Sequence, residues 1–409
     1  MYCDVAIVGA GPAGIGAAVA LDKAGIKDVV VFEREPRAGG IPRHIHHPTF
    51  GLLVFKRPMA GPRFIEKILA RCQGVRFEFE TSVMGIKPAG FFNIAGPEGI
   101  KTVRARHIII ATGAREKPRH PRLVSGLRPQ GIMTTGALQK LVYGENLTPF
   151  ERPVIVGSEL VSFSALATLG SAGAKAVAMI EQNPRISAYR PAIGFSALMG
   201  TPIHYNSKIV DIGGKDQVEF VTIDGPKGKR RIDCDGVIFS GDFVGETALT
   251  RTSHLANDGV SQLPLVDASW VSSDENISVI GNCVHPADMG DQCYLEGLKA
   301  GAHVGEKLGG TSREDKGVFV SISHDARIKM LAPGALRMKS GQSVRLDISL
   351  HVLSPFTGRI VVLQDGEVIY KKYHRCQPAR RIVLRGVGFQ QAGFEQESSP
   401  LPVIEVKLG

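Results

Sequence analysis

The sequence predicts an α/β protein of two units, each built on a doubly wound parallel sheet, followed by an all-β module. Three observations carry this prediction. Near the N-terminus, short apolar strands alternate with a helix-compatible stretch around a tight glycine turn. The same pattern recurs about 147 residues later, measured from Val8 to Ile155. Beyond Gly317 the helical period disappears, and short strand-like runs follow one another between turns. Strands alternating with helices imply a parallel sheet, whereas regularly spaced short strands suggest an immunoglobulin-like sandwich. A chain of 409 residues has room for two or three domains at about 100–200 residues each.

In the first unit, Asp4-Val5-Ala6-Ile7-Val8 reads as a strand, Ala17–Leu21 suits a helix, and Val29-Val30-Val31-Phe32 is a second strand closed by Glu33. Between them, Gly9-Ala10-Gly11-Pro12-Ala13-Gly14 is a G-x-G-x-x-G motif that follows a strand and opens a helix. Gly9 permits the tight turn, Gly11 lets the backbone approach a pyrophosphate, and Gly14 lets the helix pack against the strand. The helix N-terminus offers its amides to the diphosphate, and Glu33 is placed to accept ribose hydroxyls, with Arg34 beside it. This is the pattern of a Rossmann-like dinucleotide site. In the second unit, Val154-Ile155-Val156 and Ala176–Ile180 are strands, and Glu159–Ser171 is helix-compatible. The final stretch predicts strands at Val318–Ser323, Val344–Val352, Gly358–Gln364, Val368–Tyr373 and Arg380–Leu384, after a linker at Gly309–Lys316.

Composition narrows the function classes. Apolar residues make up 43% and charged residues 22%, which fits a globular protein rather than a disordered polyampholyte. Aromatic residues are only 6%, which argues against a ring-built carbohydrate or base-stacking surface. No run approaches about 18 uninterrupted apolar residues, so no membrane span is predicted. Asp4 interrupts the start and no basic segment precedes an apolar one, which predicts a chain that stays in the cytoplasm, at most peripheral on the inner face of the membrane. Of the net charge of +10, about +7 lies in residues 316–409, with 14 Lys/Arg against 7 Asp/Glu. That excess is either a solvated basic face or a docking surface for an acidic partner. Nucleic acid is not expected, because no aromatic residues interleave with the basic ones. The six cysteines, Cys3, Cys72, Cys234, Cys283, Cys293 and Cys376, never fall at C-x-x-C spacing. A zinc ribbon, an iron–sulfur cluster held by this chain alone and a redox dithiol are therefore not expected. Buried free thiols are.

Two further segments favour FAD in the first site. Ile108-Ile109-Ile110-Ala111-Thr112-Gly113-Ala114 resembles the A-T-G segment of two-dinucleotide-domain flavoproteins of the pyridine nucleotide-disulfide oxidoreductase type. Ile277-Ser278-Val279-Ile280-Gly281-Asn282 resembles their strand-plus-Gly-Asp segment, which holds the ribityl chain. Asn282 departs from that pattern, keeping hydrogen bonding without the charge. Tyr294–Leu308 reads as a helix whose dipole can stabilise an anionic reduced flavin.

The second glycine motif is degraded. In Gly157-Ser158-Glu159-Leu160-Val161-Ser162, a glutamate replaces the glycine that should meet the pyrophosphate. Its bulk and charge oppose a dianionic diphosphate. Glu181 closes the second strand, but no basic cluster follows for a 2′-phosphate. The expectation is a retained fold with weak or lost NAD(P) binding; NADH binding in a shifted pose is the alternative.

Gly39-Gly40-Ile41-Pro42-Arg43-His44 with His47-Pro48-Thr49-Phe50-Gly51 looks like a segment of the large (α) subunits of dye-linked proline/hydroxyproline dehydrogenases, opine oxidases and hydrogen cyanide synthase. Residues 112–119, Gly281–Pro286 and Phe239-Ser240-Gly241-Asp242-Phe243 resemble that group as well, so the likeness covers roughly residues 1–310. It implies an FAD-binding subunit working beside a small iron–sulfur protein, a second flavoprotein subunit of the dehydrogenase, or both, on a small-molecule substrate. Several members of that group end in a cysteine-rich cluster domain, where this chain has the basic β-module.

The resulting plan places an FAD domain at 1–115 and 245–312, an NAD(P)-like domain at 116–244, and the β-module at 317–409. The cofactor-site candidates are Gly9, Gly11, Pro12, Ala13, Gly14, Glu33, Arg34, Gly40, Ala111, Thr112, Gly113, Gly281 and Asn282. His44, His47 and His285 are the catalytic candidates, as groups that would steer substrate or shuttle a proton beside the flavin. Loop structure and turn capping are the alternative roles for them, and no metal is predicted. The expected activity is an FAD-dependent oxidoreductase, a subunit of an amine, amino-acid or hydroxy-acid dehydrogenase passing electrons to a partner or quinone. A stand-alone NAD(P)H-dependent reductase and a scaffold docking through the basic module are the alternatives.

Overall fold

The computed structural model describes residues 1–310, 317–339, 343–378, 380–390 and 401–409. The expected linker therefore lies outside the described residues, apart from Gly309 and Gly310. The N-terminal sheet centres on β1 (Tyr2–Val8). Its order is Arg76–Glu78, then β2 (Val29–Phe32), β1, Gly99–Ile110, Phe91–Gly96 and Ser82–Ile86. Ile277–Val279 adds a parallel pairing to Ile108–Ile110. Around β1 the pairing is parallel on both sides, and the antiparallel strands extend the far edge. Side chains alternate between faces as a pleat requires. Ala6, Val8, Val30, Phe32, Ile108 and Ile110 enter one apolar cluster, while Val5, Ile7, Val29, Val31 and Ile109 enter the other. Burial on both faces is what makes these strands continuous apolar runs.

The helix α1 (Pro12–Lys23) begins with proline in its first turn and has no side-chain cap. It crosses the long helix Gly290–Leu308 at very short range. A Cβ on Gly297 would lie 2.0 Å from the Ala13 carbonyl oxygen, and one on Gly301 2.5 Å from that of Ala17. Only glycine permits that crossing. The long helix starts at Gly290 rather than at the expected Tyr294, because Gln292 returns its side chain to the Met289 amide (3.1 Å) and closes the first turn earlier.

The second unit is a five-stranded parallel sheet in the order Ile203–His204, Ala178–Ile180, Val154–Val156, Val237–Phe239, Ile132–Thr134. A three-stranded antiparallel sheet, Lys208–Gly213, Phe220–Gly225 and Gly228–Asp233, flanks it. The helix expected from Glu159 spans Leu160–Ser171, with Glu159 as its N-cap. An antiparallel ribbon of Ala114–Glu116 and Phe243–Gly245 joins the two units.

The C-terminal module is a sandwich. One sheet runs Ala335–Met338, Val318–His324, Ile404–Leu408, Phe356–Gln364, Glu367–Cys376, and the other Ile328–Ala332, Val344–Val352, Ile382–Phe389. Their inner faces share one apolar core. The last expected strand is displaced to Ile382–Phe389, where it pairs with Val344–Leu350. The module docks firmly on the body. Met330 and Ala332 join the cluster of Leu255, Leu263 and Val266, and the Ala335 amide donates to the Val266 carbonyl (3.1 Å). Ion pairs between described residues cross the joint. They include Arg337–Asp267 (2.8 Å), Arg337–Glu275 (4.0 Å), Lys329–Asp242 (2.8 Å), His324–Asp258 (3.3 Å) and Arg381–Asp288. Part of the basic excess is thus neutralised internally rather than solvated.

Candidate functional site

At the first glycine motif, the backbone turns through Gly9 with φ +104°. A Cβ on Gly14 would fall 2.0 Å from the Gly9 carbonyl oxygen, so strand end and helix start touch there. Gly11 is different: a Cβ there would meet nothing within 4 Å. The amino end of α1 therefore opens onto free space, with uncapped first-turn amides facing it. Gly40 closes the rim, its Cβ position 3.1 Å from the Gly11 Cα. This cradle fits a diphosphate at a helix N-terminus. Glu33 is buried at the end of β2. Its carboxylate accepts the Ala10 amide (2.8 Å) on one oxygen and the Glu35 amide (2.9 Å) on the other. A carboxylate has about four acceptor sites, so two remain, matching the two hydroxyls of a ribose. Arg34 is exposed just beyond.

The second motif has the same turn and the opposite outcome. Gly157 keeps its positive φ of +114°, but the carboxyl of Glu159 bends across to Gly241 and accepts the Asp242 amide (3.1 Å). Burial raises its pKa. Glu181, the counterpart of Glu33, takes four donors: the Asn183 amide (2.8 Å), Asn183 Nδ2 (2.7 Å), the Ser187 hydroxyl (3.1 Å) and the Ser158 hydroxyl. All of its acceptor sites are filled by its own chain. The Ser187 and Ala188 amides in turn donate to Ser158 (2.9 and 2.8 Å), which ties the following loop over the motif.

Comparison with known proteins agrees with this paired architecture. Residues 3–303 match the family model described as pyridine nucleotide-disulphide oxidoreductase. The chain belongs to that family. It is accordingly an FAD-binding oxidoreductase, and the β-module lies beyond the matched region. An opine oxidase subunit from Rhizobium meliloti (strain 1021) is 29% identical over 180 residues, 44% of this chain and 38% of that protein. The chain thus spans well under half the length of that relative. Among solved structures, T. acidophilum thioredoxin reductase superposes with a TM-score of 0.62 at 20% identity, covering 75% of this chain and 99% of that one. L-proline dehydrogenase from P. horikoshii gives 0.58 at 19% identity, covering 76% and 56%. These two establish the shared fold.

Within this family architecture the remaining candidates sort by what they touch. The Thr112 hydroxyl donates to the Glu246 carbonyl (2.7 Å) and lies 2.6 Å from the Cys283 sulfur. Only the backbone of Ala111, Thr112 and Gly113 is thereby left to face a cofactor. Asn282 uses its side chain to close its own turn: Nδ2 donates to the Asp288 carbonyl (3.1 Å) and Oδ1 accepts the Asp288 amide (3.0 Å). Gly281 (φ +70°) lies against Ala13, its Cβ position 2.7 Å from the Ala13 methyl, so the Gly-Asn turn sits directly beside the first motif.

Two of the three catalytic-candidate histidines, His44 and His47, touch the second unit. His47 bonds the Ser164 hydroxyl through Nε2 and Thr49 through Nδ1 (3.1 Å); Gln139 also donates to Ser164 (2.6 Å). The His44 ring lies against Gly144, 3.6 Å from its Cβ position, while His46 stacks on Tyr143 at 4.1 Å. Burial lowers the pKa of both His44 and His47. The Arg43-to-His47 loop is short and tightly turned, which directs these rings outward onto the neighbouring unit. His285 lies on the Gly-Asn turn, its amide donating to the Gly281 carbonyl (3.0 Å). Asp291 caps the 51–54 turn through the amides of Gly51 (2.8 Å), Leu53 (3.1 Å) and Val54 (3.1 Å), so its role is structural.

Sequence reading missed Glu296. From the long helix it accepts the Gly281 amide (2.7 Å) and stands 3.7 Å from His285 Nε2. Burial raises its pKa to about 7 and pushes that of His285 down to about 3. The available signal was a lone acid beside the glycines that face α1. All six cysteines are free, and burial pushes the Cys283 thiol up to about 11.

Proposed function

We propose that the chain is the FAD-bearing subunit of a dehydrogenase complex acting on an amine, amino acid, opine or hydroxy acid, with electrons leaving to a protein partner or quinone and not exchanged with NAD(P). The observation that carries this reading is the contrast between two equivalent carboxylates. Glu33 keeps two acceptor sites beside an open helix end, whereas Glu181 has none, and Glu159 stands where the first motif has Gly11, with its carboxyl held by the Asp242 amide. Gly9, Gly11, Pro12, Ala13, Gly14 and Gly40 would cradle the diphosphate, and Glu33 would hold the ribose with Arg34 outside it. The backbone of Ala111–Gly113 and the Gly281–Asn282 turn would border the rest. Bound there, FAD supplies two-electron acceptance from substrate. The chain's part is to bind it, to present the amino end of the long helix, and to hold Glu296 and His285 beside the turn. The relative from Rhizobium meliloti, one component of an opine oxidase, supports the multisubunit setting. The absence of a vicinal thiol pair among the six free cysteines speaks against dithiol chemistry by this chain. A cytoplasmic location, with at most peripheral membrane contact, belongs to the same reading; among the described residues no helix is long and apolar enough to cross a membrane.

The test is anaerobic mixing of the FAD-loaded protein with NADH and NADPH in a stopped-flow spectrometer. The flavin band is expected to stay oxidised over many seconds. Rapid bleaching by either nucleotide overturns the reading in favour of a stand-alone reductase.

A further inference from the structure

The C-terminal module reaches the cofactor turn itself. Arg381, at the edge of the strand Ile382–Phe389, pairs with the Asp288 carboxylate. Asp288 is the residue whose backbone amide and carbonyl hold the Asn282 side chain, so one guanidinium braces the whole 282–288 turn. Beneath that turn lie His285 and Glu296, with side chains only 12% and 14% exposed and 3.7 Å apart. His285 Nδ1 is buried with no hydrogen-bond partner. Glu296 spends one oxygen on the Gly281 amide (2.7 Å), which ties this pair to the residue lying against Ala13 of the first glycine motif. A buried polar atom without a partner costs about 1–3 kcal/mol. With a buried carboxyl 3.7 Å from its other ring nitrogen, His285 can serve Glu296 as a proton partner.

We infer that the C-terminal module is a working part of the flavin site: Arg381 is a positioning residue that fixes the cofactor turn through Asp288 and so sets the protonation of the His285–Glu296 pair beneath it. This rests on the flavin reading above. The charged groups facing the pair are few. Asp288 comes from the turn, Lys299 from the same helix as Glu296, and Arg381 and His351 from the module; α1 offers only alanine and glycine at the crossing. Burial raises the Glu296 carboxyl toward neutrality, Asp288 raises it further, and Arg381 and Lys299 oppose this. Removing Arg381 therefore takes away a cation facing Glu296, which favours the protonated acid, and it releases Asp288 from the one group that opposes its own burial-driven rise.

The experiment follows the Glu296 side-chain carboxyl carbon by 13C NMR in the full-length protein across pH, assigned by its loss in Glu296→Gln. A midpoint near neutral pH is expected in the unaltered chain. Arg381→Ala should move it upward by at least half a pH unit, Arg381→Gln should do the same, and Arg381→Lys should return most of the shift. In parallel, FAD titration of the apoprotein should show affinity reduced about fivefold or more in Arg381→Ala and Arg381→Gln, but not in Arg375→Ala, an exposed arginine of the same module. A Glu296 midpoint in the ordinary carboxylate range overturns the inference, as does a midpoint unmoved by both neutral variants. If the unaltered apoprotein does not take up FAD at all, the flavin reading falls, and the NMR titration still judges the pair on its own.

Discussion

Exchanging Glu33 for glutamine separates the two nucleotide sites in one measurement. The carboxylate of Glu33 gives one oxygen to the Ala10 amide and the other to the Glu35 amide. Glutamine has only one carbonyl oxygen, so its NH2 group must face one of those two backbone donors. A buried donor without an acceptor costs about 1–3 kcal/mol. The charge that would receive the ribose hydroxyls is lost as well, and hydrogen bonds to charged groups contribute about 1.5–3 kcal/mol each. Allowing for partial rescue by the remaining oxygen, FAD affinity should fall on the order of ten- to a hundredfold, since each factor of ten is about 1.4 kcal/mol. Glu181→Gln provides the matched control. Its NH2 group replaces an oxygen that takes two of the four donors, so chemical denaturation should show a loss of stability, yet FAD affinity should not change. Both are read by titrating apoprotein with FAD under identical conditions. If Glu33→Gln binds FAD within about threefold of the unaltered chain, or if Glu181→Gln weakens it equally, the reasoning from acceptor sites is wrong.

Arg337→Ala should destabilise the protein by about 3 kcal/mol, the low end for breaking a buried pair, because Asp267 retains the Ser269 (2.8 Å) and Val271 (3.0 Å) amides; urea denaturation showing a loss under about 1 kcal/mol would contradict it. Gly297→Ala drives a methyl to within 2.0 Å of the Ala13 carbonyl oxygen, so a cost of about 1–3 kcal/mol from overpacking and weaker FAD retention should appear together in thermal melts and flavin release. His324 is raised even though burial alone would lower it, because the bond to Asp258 prevails. Its contribution is fully present below the unfolded histidine value of about 6.5 and is lost as pH climbs through the raised folded value. His324→Gln should therefore flatten the alkaline decline in melting temperature.

Much of the first unit was legible because its signals are local. The glycine motif, the apolar strands flanking it and Glu33 lie within 33 residues, and each has a separate steric or electrostatic cause. The lesion at Glu159 was legible for the same reason. What the lesion does was not, since the Asp242 amide it satisfies lies 83 residues away. Strands Ile328–Ala332, Ala335–Met338 and Ile404–Leu408 escaped notice because they are short and their alternation is broken by Pro333 and Gly334 or isolated at the end of the chain. The histidines near residue 45 carry no hint in sequence of what they touch. Only the packing of the loop against Tyr143, Gly144 and Ser164 decides where their rings go. Arg381 carries no local signature and Glu296 only a neighbouring glycine, because their meaning comes from a turn assembled from three separate stretches of chain.

The saturation of Glu181 has a consequence for redesign. Reverting Glu159 alone would strand the Asp242 amide, while Glu181 would still be occupied by Ser158, Asn183 and Ser187. Several coordinated substitutions would be needed before a second nucleotide found any foothold, and each taken singly loses stability before gaining anything. The bonds that occupy Glu159 and Glu181 also hold this unit together, so substitutions aimed at a second nucleotide are expected to lower stability before they gain affinity.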